Sequence, residues 1–207
     1  MDVVALGELL IDFTENGISS QGNPLFEANP GADMMLTEEE IPEELILETR
    51  IFHFGTLSMT HENVRRATKK AVAIAKQAGA IISFDPNIRE PLWNSMDEAR
   101  EQVLYGLGQC HILKISDNEI QWLTGKNDYT EAVKWIREKY DIPLILVSMG
   151  KEGSRAYYQD RIVEKAPFIN ENTIETTGAG DTFWACVLHY ICKHGLENLT
   201  EKNLKEM

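Results

Sequence analysis

Cysteine is scarce in this sequence, basic side chains are outnumbered, and no apolar run is long. Each shortage removes a class of protein. The three cysteines, Cys110, Cys186 and Cys192, are odd in number and lie among apolar residues. That pattern argues against a disulfide framework and predicts buried free thiols in a reducing compartment. Lys and Arg number 20 against 33 Asp and Glu, a formal net charge of −13. So acidic a chain does not hold a nucleic-acid backbone by bulk electrostatics, and an anionic ligand would need local donors such as helix-start amides. No stretch approaches the ~18 apolar residues of a membrane span, and the opening "MDVVALGELLIDF" has no basic leader region. The expectation is a cytoplasmic protein with neither nucleic-acid nor membrane partners. Two phosphate motifs are also missing. There is no Gly-x4-Gly-Lys-[Ser/Thr] loop, and no third glycine completes a dinucleotide fingerprint.

What is present fits one domain over residues 1–207, with no internal repeat or low-complexity linker. "DVVALG", "RIFHFGTL", "AIISFD", "HILKIS" and "PLILVSMG" read as buried strands. Between them, apolar residues recur at helical spacing. Val64, Ala67, Ala71, Ile74, Ala75 and Ala78 predict a helix with Thr60 as N-cap and Gly79 as its close. Further helices are expected over 97–107, 117–124 and 129–140, and a hairpin turns at Gln159-Asp160. A last helix over 180–194 has little polar face and is expected to be buried almost all round. Apolar strands alternating with helices predict a mostly parallel sheet covered on both faces, an α/β three-layer αβα sandwich. The segment 16–49, rich in Asn, Gly, Pro and Glu, offers little to pack.

One stretch carries chemistry: "TTGAGDTFW", residues 176–184. Gly178, Ala179 and Gly180 bare their amides at a helix start, a concave and positively polarised nest suited to phosphate oxygens. Asp181 in the first turn would repel a phosphate unless something lay between them. A substrate hydroxyl giving up its proton fits that gap, with Asp181 as general base and the Gly-Ala-Gly amides as anion hole. Alone, the motif fits equally a glycine turn with an aspartate capping a core helix.

Other segments add to it. "SFDPNIREPLW" sets Asp85, Asn87 and Arg89 just past a strand's carboxyl end, where open α/β sheets bind ligands. A guanidinium there can clamp phosphate oxygens, although a surface arginine on a proline loop reads the same way. "KISDNEIQWLTG" brings Lys114, Ser116 and Glu119 after the next strand; Glu119 suits either a water-held Mg²⁺ or a helix-start acid. "VSMGKEGS" ends a strand with Ser148, Gly150 and Gly153, open enough for a nucleotide or for an ordinary turn. Asp12, in "GELLIDF", follows the first strand and can accept hydrogen bonds from sugar hydroxyls.

Together these residues resemble the ribokinase-like (PfkB) carbohydrate kinases, and within them the fructokinases. Thr177-Gly178-Ala179-Gly180-Asp181 looks like a complete family signature, and "GELLIDF", "FDPNIREPLW" and "KISDNEIQWLTG" look like fructokinase versions of their segments. The resemblance implies an ATP- and Mg²⁺-dependent kinase acting on a primary hydroxyl of fructose or a related sugar. By it Asp181 is the catalytic base, Gly178, Ala179 and Gly180 form the anion hole, and Arg89 lies near the phosphates. Asp12 and Asn87 would meet the sugar. Lys114, Ser116, Ser148, Gly150 and Gly153 would border the nucleotide, and Glu119 would reach Mg²⁺ through water, with Ser116 standing where the family carries Asn. The departures are an absent Gly-Gly motif with its sugar-binding Asn, and absent lid strands. The chain reads as joined across that segment at Asn29-Pro30-Gly31, and as stopping short after "LKEM". A catalytically impaired nucleotide- or sugar-binding remnant is therefore the alternative, and a homodimer built on lid strands is left open.

Overall fold

Period-two alternation along the strands decides what lies on each side of the sheet. The computed structural model describes residues 1–7, 12–18, 24–29, 32–168 and 178–207. Its strands are β1 (Val3–Leu6), β2 (Asp12–Ile18), β3 (Pro24–Asn29), β4 (Ile51–Gly55), β5 (Ile81–Asp85), β6 (Ile112–Ser116), β7 (Leu144–Ser148), β8 (Ser154–Tyr158) and β9 (Arg161–Lys165). Seven of these form one open sheet in the order β1-β4-β5-β6-β7-β8-β9. The first five are parallel, while β8 and β9 run antiparallel as the expected hairpin. β2 and β3 pair antiparallel in a second, two-stranded sheet.

Helices cover both faces, as near-continuous apolar strands require. On one side α1 (Glu43–Leu47), α2 (Glu62–Gln77), α3 (Met96–Leu107), α4 (Asp117–Thr124) and α5 (Tyr129–Arg137) pack on Phe52, Phe54, Ile82, Phe84, Leu113, Ile115, Ile145 and Val147. On the other, α6 (Ala179–His194) and α7 (Glu201–Glu206) pack on Ile51, Ile112, Leu144, Leu146, Ala156 and Tyr158. The result is the three-layer αβα arrangement expected from the sequence. Among the described residues no helix is long and apolar enough to cross a membrane.

Four local expectations are corrected. Thr60 does not cap α2. Its hydroxyl donates to the Leu57 carbonyl at the end of a preceding 3-10 turn, and His61 takes the N-cap position. Helix α6 is not buried all round, because Thr182, Ala185, Cys186 and His189 face outward while Trp184, Val187, Leu188, Ile191 and Cys192 face the sheet. Cys186 is therefore an exposed thiol, whereas Cys110 and Cys192 are buried. Within 16–49, Ile41 and Ile46 reach the core, supplying the apolar contacts that composition hid. The inferred junction at Asn29-Pro30-Gly31 falls partly outside the described residues.

Packing is tight where α3 meets β5. A methyl group on Gly106 would overlap the ring of Phe84, which is itself wholly buried. Gly106→Ala is thus expected to destabilise the fold by about 1–3 kcal/mol, the cost of overfilling a packed core. Urea unfolding of that variant checks this, and an unchanged midpoint would contradict it.

Candidate active site

The carboxyl ends of the parallel strands turn polar on one face only. On the α6 side, β4 reads Ile51, His53, Gly55; β5 reads Ile81, Ser83, Asp85; β6 reads Ile112, Lys114, Ser116; and β7 reads Leu144, Leu146, Ser148. The opposite face stays apolar throughout. A sheet that is oily at its amino ends and polar at its carboxyl ends directs chemistry to one rim. The first turn of α6 lies against this rim, with the Gly180 backbone beside Lys114 and the Trp184 ring on His53 and Ser83.

Trp184 seats the helix. Its indole Nε1 donates to His53 Nδ1 at 3.2 Å and to Ser83 Oγ at 3.1 Å. Ser83 Oγ lies 2.9 Å from the same His53 nitrogen; an indole N–H can only donate, so the nitrogen it bonds is an acceptor and that ring is neutral. Burial and the neighbouring Lys114 hold His53 down at about 4, in agreement with a neutral ring. One turn earlier, Gly178 adopts a left-handed conformation with φ 75°, open to glycine at little cost, and starts the helix. The Thr182 amide returns to the Gly178 carbonyl at 2.9 Å. Among the described residues no acceptor takes the amides of Ala179, Gly180 or Asp181. Asp181 is exposed.

Beneath that turn lies a buried ion pair. Lys114 Nζ donates to Asp85 Oδ2 at 2.5 Å, with both side chains almost wholly buried. Burial raises the Asp85 carboxyl to about 6 despite the opposing ammonium, with Glu119 and Asp181 adding to the rise. Its other oxygen, Oδ1, is buried with no hydrogen-bond partner among the described residues.

A groove of about 580 Å³ runs between β1, β4 and α6. Its polar end is walled by His53, Asp85, Asn87 and Asp181, and its other end by Val3, Leu188, Cys192, Arg50 and Lys193. The structure thus gathers Asp181, Asn87 and Asp85 on one groove, with Gly180 and Lys114 in contact beneath. Arg89, Ser116, Glu119, Ser148, Gly150 and Gly153 lie outside that lining. Arg89 is exposed, and its guanidinium donates only to the Ile88 carbonyl among the described residues. Ser116 caps α4: its hydroxyl accepts from the Glu119 amide, and Glu119 Oε2 accepts from the Ser116 amide at 2.9 Å. Glu119 Oε1 accepts from the Ile88 amide at 2.8 Å, so this carboxylate ties the loop after β5 to α4. Ser148, Gly150 and Gly153 stand at the β7–β8 turn, outside the groove lining. Gly153 has φ 96° and no room for a methyl against the Lys165 carbonyl, which accounts for glycine there by backbone geometry. Asp12 begins β2, and its side chain lies outside the described residues, as does Thr177.

Sequence reasoning missed His53, Ser83 and Trp184, and did not foresee that Asp85 pairs with Lys114. The signal was available in parity: within four apolar strands, the polar intruders His53, Ser83, Lys114 and Ser148 all occupy positions facing the same side.

The open, mostly parallel αβα sheet is the ribokinase-like fold. A fructokinase from Vibrio cholerae O395, solved with fructose, ADP and a calcium ion, superposes with a TM-score of 0.72 at 28% identity, over 88% of this chain and 57% of that one. A ribokinase II candidate from E. coli, solved with ATP and Mg²⁺, gives 0.74 at 25% identity, over 88% and 57%. In sequence, Fructokinase-1 of Zea mays is 39% identical over 182 residues, covering 88% of this chain and 56% of the relative. Probable fructokinase-2 of Arabidopsis thaliana is 39% identical over 167 residues, covering 81% and 50%. The family described as "pfkB family carbohydrate kinase" matches residues 17–206. The chain belongs to that family, and spans about half the length of the curated relatives it matches.

The two shifted groups oppose each other in acid. Asp85 holds its proton up to about 6 when folded against 3.8 when free, so its ionisation removes stability as pH rises across that window. His53 stays neutral down to about 4 against 6.5 when free, so stability grows as pH rises from there toward 6.5. Asp85→Asn should therefore steepen the gain in stability with rising pH, and His53→Asn should reverse it. Urea unfolding midpoints followed between those pH values check this; parallel profiles for wild type and both variants would contradict it.

Proposed function

We propose that this chain is an ATP-dependent sugar kinase that transfers the γ-phosphoryl group to a primary hydroxyl of fructose or a related sugar. One observation carries the reading. Asp181 is exposed on the groove in the same helical turn as amides that no described acceptor takes. A base and an anion cradle side by side are what a phosphoryl transfer to an alcohol requires, because positioning and charge stabilisation supply most of the rate.

In this reading the sugar hydroxyl gives its proton to Asp181 as its oxygen bonds to the γ-phosphorus. The bond from that phosphorus to the bridging oxygen breaks, ADP leaves, and the proton passes from Asp181 to solvent. The amides of Gly178, Ala179 and Gly180 face the charge on the equatorial oxygens. Asn87, held at φ 46° by a loop that Thr56 and Glu119 anchor, presents its amide to the sugar. Asp12 supplies a second sugar contact, and Arg89 swings in from the surface to the phosphates. Ser116, Ser148, Gly150 and Gly153 border the nucleotide farther along the rim.

Mg²⁺ fits as an ion carried by the nucleotide. Among the described residues no cluster of three His, Cys, Asp or Glu could cage a metal, and both Glu119 oxygens already accept backbone amides. Mg²⁺ keeps several waters and leans on phosphate oxygens, so a single water-mediated contact to Glu119 suits it. When bound it would neutralise phosphate charge. The working compartment in this reading is the cytoplasm, in keeping with three free cysteines.

A second reading, a nucleotide- or sugar-binding remnant without turnover, is favoured by the match to only about half of each relative. A coupled ADP assay with fructose separates the two. The kinase reading expects turnover by the wild type and a loss of roughly 10²–10⁴-fold in Asp181→Asn, the usual worth of a positioned base. Undiminished turnover in that variant would remove Asp181 from the chemistry. A wild type that binds ATP without turnover would establish the remnant.

A further inference from the structure

The two edges of the large sheet are built differently. β9 closes one side and carries Arg161, Glu164 and Lys165, charges that discourage another strand from pairing there. β1 closes the other side, and its sequence Val3-Val4-Ala5-Leu6 has no charge, no proline and no bulge in its register with β4. Val4 and Leu6 pack on the core beneath α2, and Val3 on the core beneath α6. A strand that is apolar on both faces has the pattern of a sheet's interior, not of its rim. The ladder shows which of its backbone groups are spare. The Ile51 amide donates to the Asp2 carbonyl at 3.0 Å. Peptide groups alternate in direction along a strand, so Val3 and Ala5 turn their amides and carbonyls away from β4. Among the described residues nothing pairs with them.

We propose that β1 pairs with β1 of a second copy, antiparallel about a two-fold axis, so that two seven-stranded sheets become one. Val3 then stands opposite the partner's Ala5, and Ala5 opposite the partner's Val3. Each pair exchanges amide and carbonyl, every spare group is used, and the two Val4 side chains meet at the axis. Charge favours this direction. The groove beside β1 is lined by Asp85 and Asp181 at the strand's carboxyl end and by Arg50 and Lys193 at its amino end, where Asp2 offsets Arg50 alone. An antiparallel partner sets its acidic end beside this basic end, whereas a parallel one would set like beside like. The occupant is a second copy because the edge is its own complement: among the described strands, β1 alone joins an open edge to two apolar faces. The charged β9 edge stops the assembly at a pair and prevents a filament. This inference is independent of the kinase reading.

Analytical ultracentrifugation of the whole chain at micromolar concentration tests this. The wild type should sediment at twice the chain mass, and a monomer throughout would overturn the proposal. Ala5 is exposed and its amide points away from β4, so Ala5→Lys and Ala5→Pro spoil the edge while sparing the β1–β4 ladder. The axis repeats each change, and both variants should weaken the dimer at least about tenfold. Ile162→Lys, on the β9 edge, should leave it unchanged. A dimer that survives both Ala5 variants, or that Ile162→Lys disperses, would place the contact elsewhere and overturn the assignment. The register has its own test, which needs no disruptive residue. Val4→Cys, in a Cys186→Ser background that removes the exposed native thiol, should form an intermolecular disulfide with oxidised glutathione. The pairing makes those two residues a close, non-hydrogen-bonded pair at the axis. A dimeric sample that fails to cross-link there would overturn the pairing.

Discussion

The shared hydrogen bond from the Trp184 indole to His53 and Ser83 is the contact on which the site depends. An α-helix advances about 1.5 Å per residue, so a slip of one residue would shift Asp181 and the first-turn amides by about that much against the rim. The apolar residues Val187, Leu188 and Ile191 hold α6 on the sheet, but apolar contact alone is indifferent to small slides. A directional bond to two polar partners is not. It fixes the first turn over the polar strand ends, and it requires a neutral histidine, which the buried setting supplies.

That arrangement has an energetic cost concentrated in one place. Four strands give up apolar character at their carboxyl ends, and Asp85 and Lys114 are taken out of water with incomplete bonding. Packed hydrophobic residues would serve the fold as well or better. The opposite face, with Phe54, Phe84 and Ile115 at the matching positions, shows what the same strands do where no ligand is expected. Both faces carry an apolar core, and the polar substitutions are confined to the strand ends on the α6 side.

Strand order and helix placement were legible because both follow from apolar pattern. "IISFD" and "HILKIS" could only be buried strands, and α3 and α4 end where the sequence says they should. The start of α6 at Gly178 was legible because small residues before an acid suit a helix N-terminus. Other features were hidden. The exposed face of α6 was unreadable, since Ala185 and Cys186 are apolar whether or not a neighbour covers them. Thr60 looked like a cap, but the 3-10 turn at Leu57–Met59 claimed its hydroxyl first. Lys114 and Asp85 lie 29 residues apart and meet only through the register of β5 and β6, which no local pattern discloses.

The proposed central event is transfer of a phosphoryl group from nucleotide to alcohol at the mouth of α6. Phosphorus NMR of the whole chain incubated with MgATP and fructose reads that event directly. The account predicts a growing sugar phosphomonoester resonance matched by ADP. ATP left intact, or ADP accompanied only by inorganic phosphate, would contradict it.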